Sequence, residues 1–207
     1  MKDGFIKVAA GTPAIRVADC TYNAACIIAL AREADAAGVR LLVLPELCIT
    51  GYTCGDLDYA KGFGATLADE CGIRVFCAAY RLAPESPYPA AVEDALETYR
   101  YLLEKGYAPE QIVLCGESAG GGLICALCLR LKEMNMTMPA GLIAISPWTD
   151  LTCSGKTYEE NREADPSLTE ELLRFYADCY TGGLTSKEEP LVSPLFGDLT
   201  GFPPVLL

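Results

Sequence analysis

Ser118 lies at the centre of Gly116-Glu117-Ser118-Ala119-Gly120, a G-x-S-x-G string. Glycines at the flanking places permit a tight strand-to-helix turn that lifts the serine hydroxyl clear of the main chain, where it can attack an acyl carbon. The string by itself is a weak signal, because small-residue pentapeptides arise by chance. Its setting is what the chemistry requires: the apolar run Ile112-Val113-Leu114-Cys115 comes immediately before, and Ala119 to Met134 has the pattern of a helix. A helix starting there would aim its dipole and the Ala119 N–H at a developing oxyanion. A plain glycine-rich turn between strand and helix is the competing reading.

The rest of the inventory narrows the chemistry. The 207 residues contain no histidine, so no imidazole base is available within them. The eleven cysteines are irregularly spaced and odd in number; Cys26, Cys77 and Cys115 stand beside apolar residues. They read as buried, reduced thiols acting as small hydrophobes. Cys125 and Cys128 form a C-x-x-C inside an apolar helical run, with no second ligand pair at zinc spacing, so no metal site and no cofactor are expected. A net charge of −12 and a pI near 4.4 disfavour nucleic acid and anionic membrane surfaces as partners. No apolar run reaches the roughly 18 residues that span a bilayer, and Met1-Lys2-Asp3-Gly4 leads into only a short apolar stretch. A cytoplasmic location is the default expectation.

The elements that would carry Ser118 alternate between strand and helix. Phe5–Ala10 predicts a strand, Asn23–Ala37 a helix closed by Gly38, and Leu41–Leu44 a buried strand ended by Pro45. That order suggests a parallel βαβ unit. Helix is predicted over Tyr59–Cys71, strand over Ile73–Ala78, a proline-bearing loop over Arg81–Pro89, and helix over Ala90–Lys105 with Glu93 and Asp94 near its start. Beyond the pentapeptide, Leu142–Ile145 predicts a strand stopped by Pro147, Ser167–Tyr180 an acidic helix, and Val205-Leu206-Leu207 the beginning of another strand. No repeat is present.

Three segments together make the sequence recognisable: Tyr80-Arg81-Leu82-Ala83-Pro84-Glu85 followed by Tyr88-Pro89-Ala90-Ala91; then Gly116-Glu117-Ser118-Ala119-Gly120-Gly121; then Ser146-Pro147-Trp148-Thr149-Asp150. From about Gly51 to Leu207 the chain resembles the hormone-sensitive-lipase-like family of α/β-hydrolase esterases. The resemblance implies an α/β fold with a mostly parallel sheet flanked by helices. It also implies hydrolysis of small-molecule carboxylic esters by a Ser-Asp-His triad, with an acyl-enzyme on Ser118 and an oxyanion hole built partly from a His-Gly-Gly-Gly loop. Arg81, Pro84 and Glu85 are expected to brace a loop, and Trp148 to pack or to wall an acyl pocket. Asp150 is not the triad acid in that family and is expected to be a loop or capping carboxylate.

This sequence departs from the family pattern in three respects. Val205-Leu206-Leu207 matches the strand after which the family acid lies, and the family histidine lies later still; neither is within these residues. By register, the His-Gly-Gly-Gly loop falls on Cys48, Ile49, Thr50 and Gly51, leaving Gly51 as the surviving oxyanion-loop glycine beside Ala119. Residues 1–57 resemble instead the start of a nitrilase-type amidase domain, such as that of a glutamine-dependent NAD synthetase. The pieces are Ile6-Lys7-Val8-Ala9-Ala10-Gly11-Thr12-Pro13 and Leu42-Val43-Leu44-Pro45-Glu46 through Tyr52. In that family the glutamate matching Glu46 is the general base of a Glu-Lys-Cys triad, which would be an orphan here. The expectation is a chimera of a nitrilase-like segment (1–57) and an incomplete α/β-hydrolase (58–207). Such a chain would be inactive as an esterase, with exposed apolar sheet edge. A carbon–nitrogen amidase and a non-catalytic ligand-binding protein are the alternatives.

Overall fold

The computed structural model describes residues 8–10, 41–43, 57–164, 168–183 and 185–207, with side chains from Gly64 onward. The chain forms two compact units, Met1–Ala79 and Tyr80–Leu207. In the first, strands β1 (Val8–Ala10) and β2 (Leu41–Val43) pair in parallel, Val8 opposite Leu41, and helix α1 spans Leu57–Cys71. The parallel pair agrees with the expected βαβ order; the helix expected over 23–37 lies outside the described residues. Residues 73–78 are a correction, since they are irregular rather than strand. Ile73, Val75 and Phe76 are all exposed there, so the run lacks the packed, half-buried surroundings that turn β-branched and aromatic residues into a strand.

The second unit carries the serine. Helix α2 (Ala90–Glu104) forms because Val92, Leu96 and Tyr99 recur on one face, all buried, with Glu93 at its positive end. It closes on Gly106 at φ 89°, with Gly106 N–H donating to Leu103 O and Tyr107 N–H to Leu102 O. Then follow β3 (Val113–Glu117), α3 (Ala119–Glu133), β4 (Gly141–Ile145), the one-turn α4 (Thr157–Glu160), α5 (Glu170–Thr181) and β5 (Val205–Leu206). The three strands make one parallel sheet in the order β3-β4-β5, with Leu114 opposite Leu142 and Leu142 opposite Val205.

The core lies between this sheet and its helices. Leu96, Tyr99, Ile112, Leu127 and Leu131 join α2 to α3, and the Tyr99 hydroxyl donates to Thr137 O at 2.9 Å. Ile124 and Cys128 of α3 pack on Leu142 and Ala144 of β4. A third cluster, Leu151, Ala177 and Val192 with Trp148, Tyr88 and Tyr180, ties α5 to the segment after β4. At the sheet's end Val205 and Leu206 are 45% and 61% exposed. Lys132 Nζ holds the approach to that strand, donating to Asp198 Oδ2 at 2.7 Å, Asp198 O at 2.9 Å and Thr200 O at 2.8 Å.

Candidate active site

Strand β3 ends at Glu117 and α3 begins at Ala119, so Ser118 alone makes the turn. It does so at φ 51°, ψ −117°, a conformation that costs a non-glycine residue about 1–3 kcal/mol and persists only where its surroundings enforce it. The enforcement is visible. Ser118 N–H donates to Ile145 O at the end of β4 at 2.9 Å, and Ser118 O accepts from both Gly122 N–H (3.1 Å) and Trp148 N–H (2.9 Å). The main chain is thus held on both sides by β4 and the segment that follows it.

Small residues make this fit possible. A Cβ on Gly116 would lie 2.5 Å from Gly120 C and 2.8 Å from Gly121 N, inside the main chain of α3's first turn. A Cβ on Gly121 would lie 2.7 Å from Pro147 Cβ, and one on Gly122 would collide with Trp148 O. The loop after β4 therefore sits directly on the start of α3, which only glycine permits.

Ser118 is half-buried, and its hydroxyl makes no capping bond to α3. The side chain is left available for attack. Ala119 is exposed at the first helical position, where amide N–H groups have no acceptor within the helix. Its N–H stands at the positive end of the helix dipole, beside the Ser118 turn. Gly51, Glu46 and the positions 48–50 lie outside the described residues.

The carboxylate of Asp150 is committed elsewhere. Oδ1 accepts from Thr152 N–H (2.8 Å) and Thr152 Oγ1, and Oδ2 from Ser154 N–H (2.9 Å) and Ser154 Oγ (2.7 Å). Burial pushes its pKa up, but these bonds outweigh burial and hold it below the ordinary carboxylate value. Asp150 is a turn carboxylate, as the sequence suggested. Trp148 donates Nε1–H to Asp150 O at 3.0 Å and packs with Leu151, Ala177 and Val192. Arg81 grips Asp94 through Nε at 3.1 and 3.0 Å and through the outer nitrogen at 2.8 Å, so it ties the 81–89 loop to α2. Its hydrogen bonds lower the Asp94 pKa.

The thiols divide. Cys128 is fully buried, and desolvation, with nearby Cys125, raises it to about 12. Cys153 is buried too, whereas Cys71 and Cys115 are exposed, which corrects the expectation of uniform burial. Cys115 faces away from α3 on the sheet side opposite Leu114 and Leu142, where a parallel-sheet residue is covered only if helices pack on both faces. Among the described residues no group of three or more potential ligands could hold a metal ion, and no helix is long and apolar enough to cross a membrane.

Sequence reasoning missed the segment that braces the turn from behind. Leu151 N–H donates to Ser193 Oγ at 2.9 Å, and Leu195 N–H to Thr149 O at 3.1 Å. The only available signal was a small polar residue set between Val192 and Pro194.

Residues 50–207 match the alpha/beta hydrolase fold family. The chain is similar to an acetyl-hydrolase of Streptomyces hygroscopicus, 41% identical over 156 residues that make up 75% of this chain and 52% of the relative. It is likewise similar to an esterase of Acinetobacter venetianus, 38% identical over the same shares. Among solved structures it superposes on an esterase from the bacterial hormone-sensitive lipase family with a TM-score of 0.70 at 41% identity, covering 75% of this chain and 52% of that one. The chain spans about half the length of the curated relatives it matches.

Proposed function

The chain belongs to the alpha/beta hydrolase fold family, and from that premise we propose that the whole protein is a serine hydrolase of carboxylic esters with Ser118 as nucleophile. The observation that carries this reading is the backbone of Ser118. It is held at φ 51° between a parallel strand and a helix N-terminus, with the hydroxyl left out of helix capping. In the reaction, Ser118 Oγ attacks the ester carbonyl as a base removes its proton, and the carbonyl oxygen gains charge beside the Ala119 N–H. The alcohol leaves, an acyl group remains on Ser118, and water then releases it as acid. Relatives named acetyl-hydrolase and esterase support short acyl esters as the substrate class.

The 207 residues by themselves hold no imidazole, so Ser118 keeps a high pKa and has no such base among them. We therefore propose that this polypeptide alone turns over esters negligibly. The test is p-nitrophenyl acetate hydrolysis by the 207-residue chain and Ser118→Ala, with and without added imidazole. Equal rates without imidazole, and a Ser118-dependent gain with it, support the reading. A fast Ser118-dependent rate without imidazole would refute the inactivity; once the protein-free hydrolysis by imidazole itself is subtracted, a protein-dependent gain that survives Ser118→Ala would refute the nucleophile.

For residues 1–57 we propose descent from a nitrilase-type amidase segment, with Glu46 inert, joined near Gly51–Leu57. The family match beginning at residue 50 supports only the place of the junction, and the amidase resemblance rests on the sequence segments of residues 1–57. Long single-molecule DNA reads that cross codons 45–60 without a break would make the junction a real gene feature, and reads that stop there would make it an assembly artefact.

A further inference from the structure

We infer that Ser193 is a positioning residue for the nucleophile, acting through the loop after β4; this rests on Ser118 being the nucleophile. Ser193 is 0% exposed and stands between Val192 and Pro194, beside the apolar cluster of Leu151, Ala177 and Val192. A hydroxyl in such a place is costly unless bonded, and its oxygen accepts the Leu151 N–H at 2.9 Å. Two residues on, Leu195 N–H donates to Thr149 O at 3.1 Å. Residues 193–195 thus hold the 149–151 main chain at two points.

The same loop reaches Ser118 directly. Trp148 N–H donates to Ser118 O at 2.9 Å, and Pro147 and Trp148 O lie against Gly121 and Gly122. Upstream, Ser146 is itself at φ 42°, so the loop leaves β4 through a second disfavoured backbone conformation. Two strained backbone positions, Ser118 after β3 and Ser146 after β4, need surrounding restraints to persist. On the far side of the loop one such restraint is the Ser193 hydroxyl. The path runs Ser193 Oγ, Leu151 N–H, the 148–151 main chain, Trp148 N–H, Ser118 O.

Amide hydrogen exchange and backbone carbon chemical shifts of Ser118 in the 207-residue chain test this, with Ser193→Ala, Ser193→Cys and Val192→Ala compared with wild type. Val192 is 4% exposed and packs with Leu151 and Trp148 in the same cluster, but its side chain makes no hydrogen bond, so it separates loss of packing from loss of the Ser193 bond. In Ser193→Ala the Leu151, Trp148 and Gly122 amides are expected to exchange about tenfold faster, while α2 amides are unchanged, which is the pattern of a local opening. The Ser118 shifts should move with them. Ser193→Cys keeps the volume with a weaker acceptor and is expected to fall between, which preserves the test if the alanine variant fails to fold. Val192→Ala is expected to lower the melting temperature without moving Ser118. Wild-type Ser118 shifts and Trp148 exchange in folded Ser193→Ala or Ser193→Cys would overturn the inference, as would equal changes in Val192→Ala. None of these readouts depends on ester turnover, so failure here and failure of the hydrolase reading are separable.

Discussion

Gly116→Ala and Gly120→Ala change the two glycines of the pentapeptide by one methyl each, and the structure gives them opposite signs. At Gly116 the new Cβ would sit 2.5 Å from Gly120 C and 2.8 Å from Gly121 N, where ordinary contact begins at 3.4 Å. Both obstacles are main chain, and α3's first turn is tied to Ser118 through Gly122 N–H, so neither can step aside cheaply. Overpacking of this kind costs about 1–3 kcal/mol, and rigid partners place it near 3. At Gly120, among the described residues, nothing lies within 4 Å of the new Cβ, and φ is not positive. Alanine there gains helix propensity of about 0.5–1 kcal/mol. The two variants should differ by about 4 kcal/mol. With a urea slope of about 2 kcal/mol/M, that is a separation of about 2 M in unfolding midpoint. Urea titration followed by circular dichroism reads it. Coincident midpoints, or Gly116→Ala the more stable of the pair, would show that the β3–α3 turn is not packed as described.

Asp150 and the thiols give further predictions. Because the folded Asp150 pKa lies below its ordinary 3.8, its stabilisation is present above about that pH and is lost as pH falls through the lower folded value. Asp150→Asn should flatten this acid limb and cost about 1–2 kcal/mol at pH 7, from weakened bonds to Thr152 and Ser154; an unchanged acid limb in urea titrations across pH would count against it. Among the described cysteines, Cys71 and Cys115 should react with a water-soluble disulfide reagent in the native chain, whereas Cys128, buried and raised to about 12, should react only on unfolding. Mass mapping that finds Cys128 modified as fast as Cys115 would contradict the packing of α3 on β4.

Much of the strand–helix order was legible because it depends on local pattern. Val92, Leu96 and Tyr99 announce a helix face, and Gly106 its end. Asp150 was legible as a loop or capping carboxylate through the family resemblance; its partners Thr152 and Ser154 emerge only in the structure. Residues 73–78 misled, since strand propensity is realised only by neighbours that the run itself does not specify. Ser193 was not legible, because its meaning lies in a bond to Leu151, 42 residues away. The exposure of Cys115 was hidden for a related reason: alternation along β3 does not say which face is covered.

The central claim is that Ser118 is the acyl-accepting nucleophile. Peptide mapping by mass spectrometry, after treating the 207-residue chain with a fluorophosphonate in the presence of imidazole, tests it most directly. The account predicts one adduct, on the peptide containing Gly116-Glu117-Ser118-Ala119-Gly120, absent from Ser118→Ala and slow to form without imidazole. An adduct that persists in Ser118→Ala, or that maps to another serine, would contradict it.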